Sequence, residues 1–171
     1  MDFQSLIKTR ISIRSFDPDR PVEKEALERI LNAGRLAPSA ANRQPWRFVI
    51  VTSQEKLTLI RTCYNRPWLK DAPHILVVTG NREEAWKRSD NYSAIETDLA
   101  IAMDHMILAA TEEGIGTCWI AAFDYKLLHE TLNLSAQECV FAITPLGYPP
   151  ESYAKTINKQ RKPLEEIVRF I

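Results

Sequence analysis

The segment Leu99–Ala110, LAIAMDHMILAA, is apolar around almost its whole helical circumference, broken only by Asp104 and His105. A helix of that kind is buried, either at the centre of a fold or in a subunit interface. The surrounding pattern predicts a long helix from about Asp90 to Gly114, so the rest of the chain has to wrap around it. It is too short for a bilayer, which needs about 20 apolar residues. The whole chain, residues 1–171, suits a single domain at roughly 100–200 residues per domain. A chain of that size buries about 70% of its unfolded surface without disulfides or structural metal.

Other segments supply the layers. Asp2 caps a short helix through Lys8, and Arg10-Ile11-Ser12-Ile13-Arg14 alternates polar and apolar residues, as an extended segment does. Val22–Leu36 reads as an amphipathic helix ending near Pro38, and Gln54–Cys63 as another. Trp46–Thr52, His74–Thr79, Thr117–Ala121 and Cys139–Leu146 read as strands, with a helix capped by Asp124 through Leu132. Such a mixture makes an α/β or α+β domain. The basic stretch Lys155–Lys162 precedes an apolar-periodic end, Pro163–Ile171, which would fray in a monomer and is expected to dock, for example on a second subunit's sheet edge.

Composition narrows the chemistry. Lysine and arginine total 22, aspartate and glutamate 22, so bulk charge offers no case for a nucleic-acid or membrane-surface partner. Cys63, Cys118 and Cys139 are scattered, as are His74, His105 and His129, which argues against a disulfide framework and a metal site. With no apolar N-terminal core of signal length, a reducing, cytoplasmic setting is expected. Neither a GxSxG elbow, an HExxH pair nor a Walker-type loop occurs, so hydrolysis and nucleotide hydrolysis have little support.

Four constellations remain, one of them the basic run Lys159-Gln160-Arg161-Lys162 before Pro163, a solvated charge run unless it folds back to the face of Arg10, Ser12 and Arg14. In an extended backbone Arg10, Ser12 and Arg14 share one face and suit a phosphate, although a solvated edge strand explains their spacing more plainly. Pro38-Ser39-Ala40-Ala41-Asn42-Arg43-Gln44-Pro45 is a stiff loop of small and amide residues fit for the edge of a flat heterocycle, or simply a helix-to-strand connection. Gly114-Ile115-Gly116 caps the long helix and lacks the GxGxxG turn of a Rossmann site.

Taken in order, RISIRSF at 10–16, APSAANRQPWRFVIV at 37–51, the stretch from Asp98 through GIGTCWIAAF, and RKPLEEIV at 161–168 resemble the motifs of the nitroreductase family of FMN-dependent oxidoreductases. The resemblance implies an α+β homodimer: a mixed sheet flanked by helices, the C-terminal tail docked on the partner, and FMN at the subunit interface. It implies that Arg10, Ser12 and Arg161, helped by Lys162, hold the phosphate and ribityl end, with Ile11 in the same binding segment. Arg14 would reach the N1/C2 edge of the ring and tune its charge. Pro38, Ser39, Ala40 and Asn42 would come from the other subunit, and Ile120, Ala121 and Ala122 would lie against the ring near its N5/O4 edge.

No protein side chain is then a catalytic acid, base or nucleophile, because the flavin carries the chemistry. The implied activity is ping-pong hydride transfer from NADH or NADPH to a small acceptor of nitroaromatic or quinone type. The alternative is a flavin-binding redox store or regulatory protein with little turnover. One departure is visible: many members carry a helical excursion before the central helix, and here only about ten residues, Asn81–Asn91, separate strand from helix. The expected lid is small or absent, and the pocket open.

Overall fold

Three strands, β1 (Trp46–Val51), β2 (His74–Asn81) and β3 (Glu138–Leu146), pair antiparallel in the order β1-β2-β3. Their alternation divides the core. Leu76, Val78, Ala142 and Leu146 point to one face, and Ile75, Val77, Val140 and Ile143 to the other. Helices α2 (Lys24–Arg35) and α4 (Ile95–Glu112) cover the first face; α3 (Gln54–Cys63) and α5 (Tyr125–Thr131) cover the second. Covering on both faces explains why β2 is an unbroken apolar run. Short helices α1 (Phe3–Thr9) and α6 (Leu164–Ile167) lie near the two ends of the chain. This computed structural model describes residues 1–154 and 157–171; Lys155, the expected start of the basic tail, lies outside the described residues.

The fold is α+β, as expected. Its long strands are all antiparallel, and the parallel component is a single bridge between Ser12 and Thr117. The expected strand Thr117–Ala121 is instead a set of isolated bridges, Gly116–Gly147, Thr117–Ser12 and Ile120–Ile143. The reason is local: the buried Thr144 hydroxyl accepts the Cys118 N–H at 3.0 Å, taking a donor that a continuous ladder would have used. Helix α4 also starts later than Asp90. Residues 86–94 close a small hairpin in which Lys87 pairs with Ser93 and the Arg88 N–H donates to Tyr92 O at 2.9 Å. The 82–94 connection carries no helix, in agreement with the short lid.

Along α4, Leu99, Ala102, Met103, Met106 and Ala110 are fully buried against the sheet and α2. Ile101, His105 and Leu108 form a stripe on another side that is only half-buried. At its C-terminal end Gly114, φ 75°, takes the left-handed position, and the Ile115 N–H donates to Ala110 O at 2.8 Å. Gly116 is required for a different reason. A Cβ there would sit 2.8 Å from Ile13 Cγ2 and 2.9 Å from Ile13 Cβ, the stiff part of a β-branched side chain. Gly116→Ala is therefore expected to push the 10–14 strand away and to cost about 1–3 kcal/mol in urea unfolding.

His74 sets a pH limit on the same framework. Its Nε2 accepts the Val22 N–H at 3.4 Å, so that nitrogen must be unprotonated, and its Nδ1 is buried without a partner among the described residues. Burial pushes its pKa below the ordinary 6.5. Near that pH the unfolded chain binds more protons than the folded one, so stability rises with pH. The contribution is complete above 6.5 and is lost as pH falls through it toward the folded value. Urea unfolding from about pH 7.5 to about pH 5.5 is expected to show this loss in the natural chain and a flatter profile in His74→Gln.

Candidate functional site

The strand Arg10–Arg14 follows directly from α1 and is held in place by the Ile13 N–H, which donates to Thr117 O at 2.8 Å. Alternation buries Ile13 and leaves Arg10 and Ser12 half-buried and Arg14 exposed on the other face; Ile11 is half-buried toward the core. Among the described residues, neither Arg10, Arg14, Arg161 nor Lys162 forms an ion pair, and the Ser12 hydroxyl has no hydrogen-bond partner. Three other arginines are paired with acids: Arg29 with Glu113, Arg47 with Glu84 and Arg88 with Asp90.

The tail folds back onto α1, just before this strand. Lys159 Nζ donates to Ile7 O in α1, and burial, then the guanidiniums of Arg10 and Arg161, push its pKa below the ordinary lysine value. Lys159 is thus held at α1 with Arg10 and Arg161 near enough to act on its charge, and among the described residues no acid forms an ion pair with any of the three. Like charges gathered in this way are stabilised by an anion, and guanidinium groups are suited to phosphate oxygens. Lys159 belongs to the basic run Lys159-Gln160-Arg161-Lys162 singled out in the sequence, although no flavin contact was assigned to it there. Lys162 is exposed and has no hydrogen bond to described residues.

The loop after α2 is shaped by backbone conformation rather than by packing. Pro38, Ala41, Asn42, Arg43 and Gln44 are exposed, with Ser39 and Ala40 half-buried. Ala41, Asn42 and Gln44 all have φ between 50° and 54°, in the left-handed region. For a non-glycine residue this costs about 1–2 kcal/mol, and such strain persists only where its surroundings impose it. Within the loop, the Gln44 N–H donates to Ser39 Oγ at 2.9 Å and Gln44 Nε2 to Asn42 Oδ1 at 3.1 Å. The Ala40 N–H donates to Asp98 Oδ1 at 2.9 Å.

At the far end of the 116–122 segment, Ile120 is buried and exchanges both backbone bonds with Ile143, at 2.9 and 3.0 Å. Its side chain is packed in the core of the single chain. The open surface consists of Ala121 and Ala122. Next to it Trp119, 40% exposed, meets Phe141 edge-on at 5.7 Å between ring centres. Phe141 is the extra residue of a bulge in β3, where the pairing slips between Val78 and Thr79.

The cation strand and the loop do not meet within one chain. The loop is tied to Asp98 in the first turn of α4, while Ser12 pairs with Thr117 beyond the last turn. Asp98 and Glu112 are separated by about 21 Å at 1.5 Å per residue.

Comparison with known proteins agrees with this architecture. The nitroreductase family matches residues 7–65 and 55–148. A nitroreductase family protein from Clostridium difficile 630 is 33% identical and superimposes with a TM-score of 0.87, covering 99% of this chain and 98% of that one. An FMN-dependent nitroreductase from Clostridium difficile R20291 is 29% identical with a TM-score of 0.83, covering 98% of each chain. A protein named NADH dehydrogenase from Thermus thermophilus is 27% identical over 98% of this chain and 95% of its own. Sequence motifs, fold and the extent of these matches coincide: the chain belongs to the nitroreductase family.

Proposed function

We propose that this protein is an FMN-dependent NAD(P)H oxidoreductase that reduces a small organic acceptor of nitroaromatic or quinone type by ping-pong turnover, as a homodimer with FMN at the subunit interface. The observation that carries the reading is the convergence of Arg10, Lys159 and Arg161, unpaired with any acid among the described residues, in a chain of the nitroreductase family. These residues fit a phosphate dianion. Ser12 adds a hydroxyl donor, and Arg14, exposed on the same face, is assigned to stabilise negative charge on the ring edge.

When bound, FMN supplies the hydride and electron chemistry. The chain binds, orients and tunes it. Ala121 and Ala122 present no bulk and allow close approach at the reacting edge. The loop Pro38–Gln44 offers backbone and amide groups, but it lies at the opposite end of α4 from the cations. Two copies related by a two-fold axis, with their α4 helices antiparallel along the half-buried Ile101–His105–Leu108 stripe, bring each loop beside the partner's cations. That supports assigning Pro38, Ser39, Ala40 and Asn42 to the partner's flavin.

The deciding experiment is anaerobic reduction of the purified protein with NADH and with NADPH, followed by flavin absorbance, then addition of a nitroarene or a quinone. Bleaching and recovery are expected. Protein without flavin overturns the reading. Arg14→Ala is expected to retain FMN and to bleach more slowly in stopped flow, and an unchanged rate would remove its tuning role. A flavin-binding redox store is the second reading. The hairpin at 86–94, in place of a helical excursion, favours it by leaving less wall for an acceptor, and flavin that is bound but not bleached would select it.

A further inference from the structure

Residues 39–44 hold three left-handed conformations on an exposed loop, and their mutual hydrogen bonds run only between near neighbours. Among the described residues, a single hydrogen bond ties this segment to the body: the Ala40 N–H to Asp98 Oδ1 at 2.9 Å. Asp98 is 2% exposed, and its Oδ2 has no partner among the described residues. A buried carboxylate with one oxygen unused is costly. Nothing about starting α4 demands it, since Glu96 already places an exposed acid in the same first turn. The function of the burial lies in what the other oxygen holds.

We propose that Asp98 is the positioning residue of the flavin-facing loop. Its carboxylate clamps the Ala40 N–H immediately before Ala41 and Asn42, so the left-handed turns are set before a ligand arrives. The loop then presents Ser39, Ala40 and Asn42 in one arrangement, and binding does not have to order it. This role rests on the flavin reading above and adds to it a residue that touches no cofactor itself.

The test uses the full-length apoprotein in three forms, natural, Asp98→Asn and Asp98→Ala. It measures FMN affinity by fluorescence quenching, amide exchange over residues 39–44 without FMN, and thermal unfolding. Asp98→Ala is expected to weaken FMN by about tenfold and to speed exchange in the loop. Asp98→Asn keeps an acceptor of the same shape, but a neutral one, and charge-assisted bonds are roughly twice as strong. It is therefore expected to fall between the other two in both affinity and exchange. A lowered melting temperature with natural FMN affinity and natural loop exchange would make Asp98 merely structural and overturn the proposal. If Asp98→Ala does not fold, the isosteric Asp98→Asn decides: natural values for both quantities overturn the role. Failure of the natural chain to take up FMN overturns the flavin reading and this role with it. Natural binding with unaffected Asp98 variants overturns this role alone.

Discussion

Replacing Arg10 by alanine is expected to weaken FMN binding by roughly 10- to 100-fold, since a hydrogen bond to a charged group contributes about 1.5–3 kcal/mol. The apoprotein is expected to stay as stable as before, or to gain slightly. Arg10 has no acid partner among the described residues, and its guanidinium is one of the two that push the Lys159 pKa down. Its removal relieves repulsion in the free protein and removes attraction in the complex. Arg161→Ala follows the same logic from the other end of the chain, and the double variant couples the two because both act on one phosphate. Fluorescence titration with FMN and thermal unfolding of the apoprotein check this together. A loss of apoprotein stability with unchanged FMN affinity would mean that the cations serve the fold and not an anion.

If the proposed dimer forms, removal of residues 164–171 is expected to convert it into monomers at micromolar concentration and to strip the flavin with it. Leu164, Ile167, Val168, Phe170 and Ile171 are 69%, 64%, 40%, 96% and 108% exposed in the single chain. Fully burying such a side chain is worth about 1.5–3 kcal/mol, so these neighbouring residues make the end of the chain a concentrated source of association energy. A place for it exists on a second copy. Strand β1 is at the edge of the sheet, and an open groove of about 450 Å³ beside it is lined by Leu31, Trp46 and Phe48 together with Glu28, Asn32, Arg35 and Arg47. An open strand edge next to an apolar groove accepts an added segment through backbone bonds and side-chain burial. Sedimentation equilibrium of the natural and truncated chains reads the assembly, and absorbance of the purified proteins reads the flavin. A truncated chain that remains dimeric and yellow would place the interface elsewhere.

Elements with a strong local pattern were legible from the residues. The buried β2 follows from its unbroken apolar run, α2 from the period of its apolar positions and α4 from being apolar on nearly every side, and Asp2 and Asp124 cap their helices as such residues do. The flanks of α4 were harder. Its start at Ile95 depends on a hairpin closed by Lys87 and Ser93, and Thr117–Ala121 failed as a strand because one buried hydroxyl, Thr144, intercepts a donor. The first outcome rests on a pairing just upstream of the helix, the second on a hydroxyl 26 residues from the N–H it accepts.

The site divides along the same line. That Arg10, Ser12 and Arg14 share a face follows from the two-residue period of extended backbone, and the order of four motifs pointed to the family. The burial of Ile120, the convergence of Lys159 with Arg10, and the grip of Asp98 on Ala40 were decided by the tertiary structure alone. So was the separation of loop and cations by most of the length of α4. The physical reason is range. A run of residues constrains its own dihedral angles and which side chains share a face. Which face then meets which, and which buried polar group finds a donor, depends on how segments far apart in the chain pack against one another.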